Sequence, residues 1–168
     1  MRFLHLGVIF LALVACDADS ADSQQHDLIG KPAPQFSVQS ANGKGKVDLA
    51  SLKGKVVIVD FWATWCDPCK ESFPTLQDLY TKYQGSGVAL VAFSQDDENQ
   101  GIAEFGQAHG AVKFPLAWDN GKTIAGQYHP PGMPSSFIID KNGIVRFVHK
   151  GYHAGDSAEL EKEIKSLM

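Results

Sequence analysis

The sequence predicts one α/β domain: a mixed central sheet with helices on both faces, an N-terminal hairpin and a central insertion. Three observations carry this. Residues 56–62 (VVIVDFW) and 88–93 (VALVAF) are nearly unbroken apolar runs, the pattern of parallel strands buried on both faces. Between them Phe73, Leu76, Leu79, Tyr80 and Tyr83 recur at three- and four-residue spacing, predicting an amphipathic helix over 69–83 that brings the chain back for a parallel neighbour. Towards the C-terminus, 136–139 and 144–149 flank Lys141-Asn142-Gly143 as a β-hairpin. A final helix capped by Ser157 follows, with Leu160, Ile164 and Leu167 on one face.

From the N-terminus, Arg2 precedes an apolar run over 6–14 (LGVIFLALV), far shorter than the ~20 residues of a membrane-spanning helix, so 1–15 reads as a signal peptide. Its end, Leu13-Val14-Ala15-Cys16, resembles the lipobox of bacterial lipoproteins, in which the cysteine is acylated and becomes the new N-terminus. Cleavage near Ala15 or Ala18 by the ordinary route would leave Cys16 incidental, but both routes export the domain. Residues 16–27 are small, polar and acidic and read as a tether, lipidated at Cys16, and the domain proper is expected over 28–168. It opens with the turn Gly30-Lys31-Pro32-Ala33-Pro34. An edge hairpin follows, from 36–40 and 47–49 around Asn42-Gly43-Lys44-Gly45.

Gly85-Ser86-Gly87 closes the first helix, and residues 98–109 predict a second around Ile102 and Phe105. A short helical segment is expected over 122–128, ahead of the proline-rich turn 129–134 (HPPGMP). Fifteen Lys and Arg against nineteen Asp and Glu give a net charge of −4 with no basic stripe, which excludes tracking of a nucleic-acid backbone. Three cysteines are too few for a disulfide scaffold. They fall into isolated Cys16 and the close pair Cys66 and Cys69.

That pair stands in Trp65-Cys66-Asp67-Pro68-Cys69, between the buried strand and the first helix. At a helix start, the first sulfur meets unpaired backbone N–H groups and the positive end of the helix dipole. Such placement lowers a thiol pKa from ~8.5 into roughly the 3.5–7.5 range, making Cys66 the nucleophile and Cys69 the resolving thiol. Pro68 falls early enough in the helix that its missing N–H costs little.

Residues 60–70 (DFWATWCDPCK) resemble the active-site segment of thioredoxin-fold proteins. With Glu71-Ser72-Phe73-Pro74 and the later 132–140 (GMPSSFIID), the chain from Gly30 onward is similar to exported TlpA- and ResA-type thiol-disulfide oxidoreductases. The resemblance implies a thioredoxin-like fold, an insertion near 96–119, and reduction of disulfides in exported proteins, apocytochromes c among them. It further implies a membrane electron donor of the thiol-reducing type, no cofactor, and a cis peptide at Met133-Pro134 that presents backbone to a client. Trp65, Asp67, Pro68 and Met133 would then form the client-binding rim, with Trp62 either core or a frame for the site. Asp17 after Cys16 suggests the periplasmic face of the inner membrane, the outer membrane or a Gram-positive surface being the alternatives.

Four other readings compete. A zinc half-site would need a second Cys/His pair at ligand spacing, which the sequence lacks, and His109, His129, His149 and His153 read as surface residues. A structural disulfide closing so small a loop would remove little chain entropy. Peroxiredoxins place a proline before the catalytic cysteine that Thr64-Trp65-Cys66 does not have. The last is a tethered binding module that holds unfolded or apocytochrome clients without turnover.

Asp60 interrupts a Val/Ile strand, where burial of the charge raises a carboxyl pKa and lets it accept a proton near neutral pH. Thioredoxins have an aspartate at the matching place, thought to help deprotonate the resolving cysteine. ResA-type proteins tend instead to carry asparagine there and a glutamate where this chain has Ser72. The neighbouring Glu71 is turned by about 100 degrees along the helix, towards solvent.

Overall fold

The computed structural model describes residues 26–111 and 113–168; the predicted signal peptide, Cys16 and the tether up to residue 25 lie outside them. Strands β3 (Val56–Trp62), β4 (Val88–Ser94), β5 (Leu116–Trp118), β6 (Ser135–Ile139) and β7 (Val145–Lys150) form a five-stranded sheet in the order β5-β4-β3-β6-β7. The parallel pairs are β3/β4 and β4/β5, and the antiparallel pairs β3/β6 and β6/β7, so the sheet is mixed as predicted. Every residue of β3 is buried, as a central strand flanked on both edges and both faces requires.

Alternation along β3 sorts its side chains. Val56, Ile58 and Trp62 face α1 (Asp67–Tyr83), α2 (Ile102–Ala108) and α4 (Asp156–Leu167), packing with Cys69, Phe73, Leu76, Ile102 and Ile164. Val57, Val59 and Phe61 face the other way, against Phe36, Val47, Tyr128 and Phe137. That second face is covered by the one-turn α3 (Ala125–Tyr128) and by the hairpin β1 (Ser37–Gln39) and β2 (Lys46–Asp48). The hairpin is therefore not an extra edge strand of the main sheet. It is a separate two-stranded sheet laid on the face, tied to β5 by the Ser40–Ala117 bridge. Asn42 strengthens the tie, donating from Nδ2 to the Phe114 carbonyl at 2.9 Å and accepting the Leu116 N–H at 3.1 Å.

Several boundaries differ from expectation for local reasons. Helix α2 begins at Ile102 rather than 98, because Gly101 takes a left-handed conformation (φ 81°) that a continuing helix cannot include. Helix α4 is capped not by Ser157 but by Gly155 (φ 111°), while Asp156 accepts the His153 N–H at 2.6 Å across the turn. The segment expected helical from 122 is a 3-10 turn, Asn120–Lys122, ahead of α3. His26 and Asp27, expected in the tether, belong to the domain: the His26 ring stands edge-on to Phe137 and its Nε2 meets the His129 carbonyl at 3.0 Å. Trp62 is core, fully buried against Phe73 and Phe105.

Candidate active site

The chain leaves β3 through Ala63-Thr64-Trp65 and enters α1 at Cys66, which takes the N-cap position with extended backbone (φ −87°, ψ 103°). No side chain caps this end, Pro68 in its first turn has no N–H to offer and the Cys69 N–H goes to the Cys66 carbonyl at 3.2 Å, so the Cys66 sulfur stands at the uncapped positive end of the helix dipole. Cys66 and Cys69 are joined as a disulfide, Cys66 nearly buried (4% exposed) and Cys69 wholly so. Trp65 beside them is 66% exposed, the one side chain of its size so displayed among the described residues. Asp67 and Pro68 are exposed as well. The Lys70 ammonium, hydrogen-bonded to Asp67, holds that carboxyl below the usual range.

The approach loop is held by Asp96. Its carboxylate accepts the Thr64 N–H (3.1 and 3.2 Å), the Thr64 hydroxyl (2.7 Å) and the Ser94 hydroxyl (2.6 Å), and its carbonyl accepts Trp118 Nε1–H at 2.9 Å. Asp119 does the same for the segment facing it, accepting Gln95 Nε2–H and the N–H groups of Ile124 and Ala125. In sequence both aspartates only mark the ends of an insertion.

Opposite the cysteines, the peptide Met133–Pro134 is cis and the Pro134 carbonyl accepts the Gly151 N–H at 2.7 Å. Trp65 and Met133 line one shallow depression of about 300 Å³, together with Gln95, Lys122, Pro130 and Gly132. Asp67 and Pro68 do not line it. Gln95 and Lys122 were invisible as site residues, since nothing in their local sequence separates them from ordinary polar surface.

Asp60 is fully buried on the α1 face of β3, between Ile58 and Trp62. Ser136 Oγ donates to its Oδ1 at 2.6 Å, and Oδ2 has no partner. Burial, offset in part by the Ser136 hydrogen bond, pushes its pKa up to about 7. Ser72 is buried on the facing side of α1, donating to the Cys69 carbonyl at 3.1 Å, while Glu71 is exposed as its helical angle requires. His149 departs from the surface reading of the histidines: it is half-buried, with Nε2 2.6 Å from Glu163 Oε2.

A CxxC disulfide opening a helix beside a mixed sheet, with a cis-proline turn facing it, defines a dithiol-disulfide protein of thioredoxin-like fold. Comparison places it more narrowly. A family model described as AhpC/TSA family matches residues 29–148. A thiol-disulfide oxidoreductase ResA of Bacillus thuringiensis (strain Al Hakam) is 44% identical over 117 residues, 70% of this chain and 66% of the relative, just under two thirds of its length. A second ResA, from Bacillus thuringiensis subsp. konkukian (strain 97-27), is 38% identical over 83% of this chain and 78% of its own. A Chlorobium tepidum structure described as a thiol:disulfide interchange protein, DsbE, superposes with a TM-score of 0.77 at 34% identity, covering 83% of this chain and 96% of that one. The chain belongs to the AhpC/TSA family and, within it, to the ResA-type thiol-disulfide oxidoreductases of the thioredoxin superfamily.

Proposed function

We propose that this protein works outside the cytoplasm as a reductant of disulfides in exported proteins, apocytochromes c among them, anchored to its membrane through lipidated Cys16. The observation that supports it best is the joining of Cys66 to buried Cys69 at an uncapped helix start, with Asp60 buried on the sheet face that packs against that helix. In the reduced protein the Cys66 thiolate attacks a client disulfide. One client sulfur leaves and takes up a proton, and the other stays bound to Cys66. Asp60 then accepts the Cys69 proton, and the Cys69 thiolate attacks Cys66 Sγ, breaking the bond to the client and closing the Cys66–Cys69 disulfide. Two electrons have passed to the client, and a membrane donor of the thiol-reducing type returns them.

Trp65 and Met133 offer an apolar seat for the client strand beside the cis-proline backbone. The full-length protein is expected to catalyse reduction of insulin by dithiothreitol, and Cys69→Ala to accumulate client mixed disulfides at Cys66. A chain that binds clients but forms no mixed disulfide with the Cys69→Ala variant is a holding module, and the reductant reading then fails.

A further inference from the structure

Asp60 is fully buried, so a proton it accepts needs a way out. Strand register supplies the start of one. Asp60 of β3 lies directly opposite Ser136 of β6, and Ser136 lies directly opposite His149 of β7, so the three form one cross-strand row. Partners at such positions have Cβ atoms about 5 Å apart on one face of the sheet. The row is closed at the Asp60 end by the 2.6 Å Ser136 bond and at the far end by the 2.6 Å contact between His149 and Glu163 of α4. Ser136 and His149 also line one small cavity, of about 10 Å³, together with Ser72, Thr75, Pro134 and Tyr152. Leu76 and Leu160 also line it, so the lining is mixed, and a space of that size with hydroxyls and an imidazole on it admits about one water, enough to bridge hydroxyl and imidazole.

We propose that His149, held by Glu163, is a relay residue that carries the proton of the resolving step away from Asp60 by way of Ser136. The inference rests on the dithiol reading above. The proton leaves Cys69 for the Asp60 carboxylate; the protonated carboxyl then donates to Ser136 Oγ where it had accepted from it, and the hydroxyl, turned to the cavity, hands its own proton on to the imidazole. The imidazole returns one from Nε2 to Glu163; both side chains keep a small opening to solvent, 15% exposed for His149 and 10% for Glu163, and water takes the proton there. No electrons move along the row, and one proton is delivered per client released.

The surroundings of His149 suit the task. Its own burial disfavours the charged ring, but the hydrogen bond and charge of Glu163, with Glu159 and Asp156 from the same helix, outweigh this and raise its pKa. From other elements, Ser136 of β6, Ser72 and Thr75 of α1, and Tyr152, whose hydroxyl is 2.6 Å from that of Thr75, line the same cavity. Asp60 is met in register by Ser136 and by Ala92 of β4.

The test follows reduced full-length protein after mixing with oxidised glutathione, quenching with acid and measuring the Cys66–glutathione mixed disulfide by mass spectrometry. Its rise reports attack by Cys66 and its decay reports resolution by Cys69. His149→Gln is expected to leave the rise unchanged and slow the decay about tenfold between about pH 6 and 7.5, below the ~100-fold seen when a group meets the reacting atoms directly. The effect should vanish above about pH 9, where solvent takes the Cys69 proton without help. Adding Asp60→Asn should then slow the decay no further than Asp60→Asn alone, because both residues serve one path. Glu163→Gln, which keeps a hydrogen-bonding partner for the ring, repeats the pattern more weakly and decides the matter if His149→Gln does not fold. Decay within about twofold of the parent, an equal loss at all pH values, or additivity with Asp60→Asn overturns the relay. Failure of the parent to form the mixed disulfide at all would instead overturn the dithiol reading.

Discussion

Replacing Asp60 by asparagine separates the cost of burying this carboxyl from its use. Folding raises its pKa from 3.8 to about 7, so the native state keeps a proton that the unfolded chain has released. The contribution to stability is therefore fully present below about 3.8 and is lost progressively as the pH rises to about 7. At ~1.4 kcal/mol per pH unit the loss reaches about 4 kcal/mol, a large part of the stability of any domain this size. Asparagine has the same shape, keeps an oxygen for the Ser136 hydroxyl, and puts an amide where Oδ2 already lacks a partner. It does not ionise. Near pH 4 the variant and parent are thus expected to be about equally stable, with the variant ahead by about 4 kcal/mol near pH 8. Urea unfolding of the two oxidised proteins across this range, with unchanged m-values, measures the difference directly, and titration of every other group cancels between them. A difference that stays flat with pH, or that favours the parent as pH rises, would refute the reasoning. The same substitution is expected to slow decay of the client mixed disulfide near neutral pH while sparing its formation.

Trp65→Ala should change stability by no more than about 0.5 kcal/mol, since the ring is mostly exposed, yet raise KM for protein disulfides about 5- to 30-fold, read from steady-state insulin reduction. Gly106→Ala drives a methyl into Leu116 Cδ1, and denaturant unfolding should show a loss of about 1–3 kcal/mol from overpacking. Asp96→Ala removes the acceptor for Thr64 and Ser94, and should lower stability by about 1–3 kcal/mol while speeding alkylation of reduced Cys66 as the loop loosens. Cys16→Ser is expected to release the protein from the membrane fraction, seen by fractionation and by mass spectrometry of the mature N-terminus.

Long periodic elements were legible because burial imposes its pattern over many residues. The apolar run of β3, broken only by Asp60, the three-and-four spacing of α1 and the Asn142-Gly143 turn of the last hairpin are of this kind. Strand β5 was not, since three residues are too few to show a period, and its place is set by pairing with β4 and by the side chain of Asn42. The hairpin was recognisable from its turn, but whether it extends a sheet or lies on one depends on partners distant in sequence. In the site, Cys66, Cys69 and Asp60 stood out because each is chemically conspicuous where it sits. Asp96, Gln95, Lys122 and His149 did not, since their roles come from neighbours that only the folded chain supplies.

The buried acid also explains a departure from the ResA pattern. ResA-type proteins tend to place a glutamate at the position of Ser72 and an asparagine at that of Asp60, which looks like the loss of one proton carrier and the gain of another. The fold brings the two positions to one layer of the core, between α1 and the sheet face it covers. Ser72 on α1 and Ser136 on β6 line the same small cavity, and Ser136 is the residue that holds Asp60. An acid supplied from the helix side or from the strand side therefore meets the same interior, beside the Cys69 carbonyl that Ser72 contacts. A strand acid is the more deeply buried choice. Its pKa near 7, rather than in the ordinary carboxylate range, is the consequence, and it sets the proton affinity close to that of a base working at neutral pH. Having both acids would crowd two buried charges into one layer of the core, so a serine at position 72 beside a buried Asp60 is the arrangement that electrostatics favours.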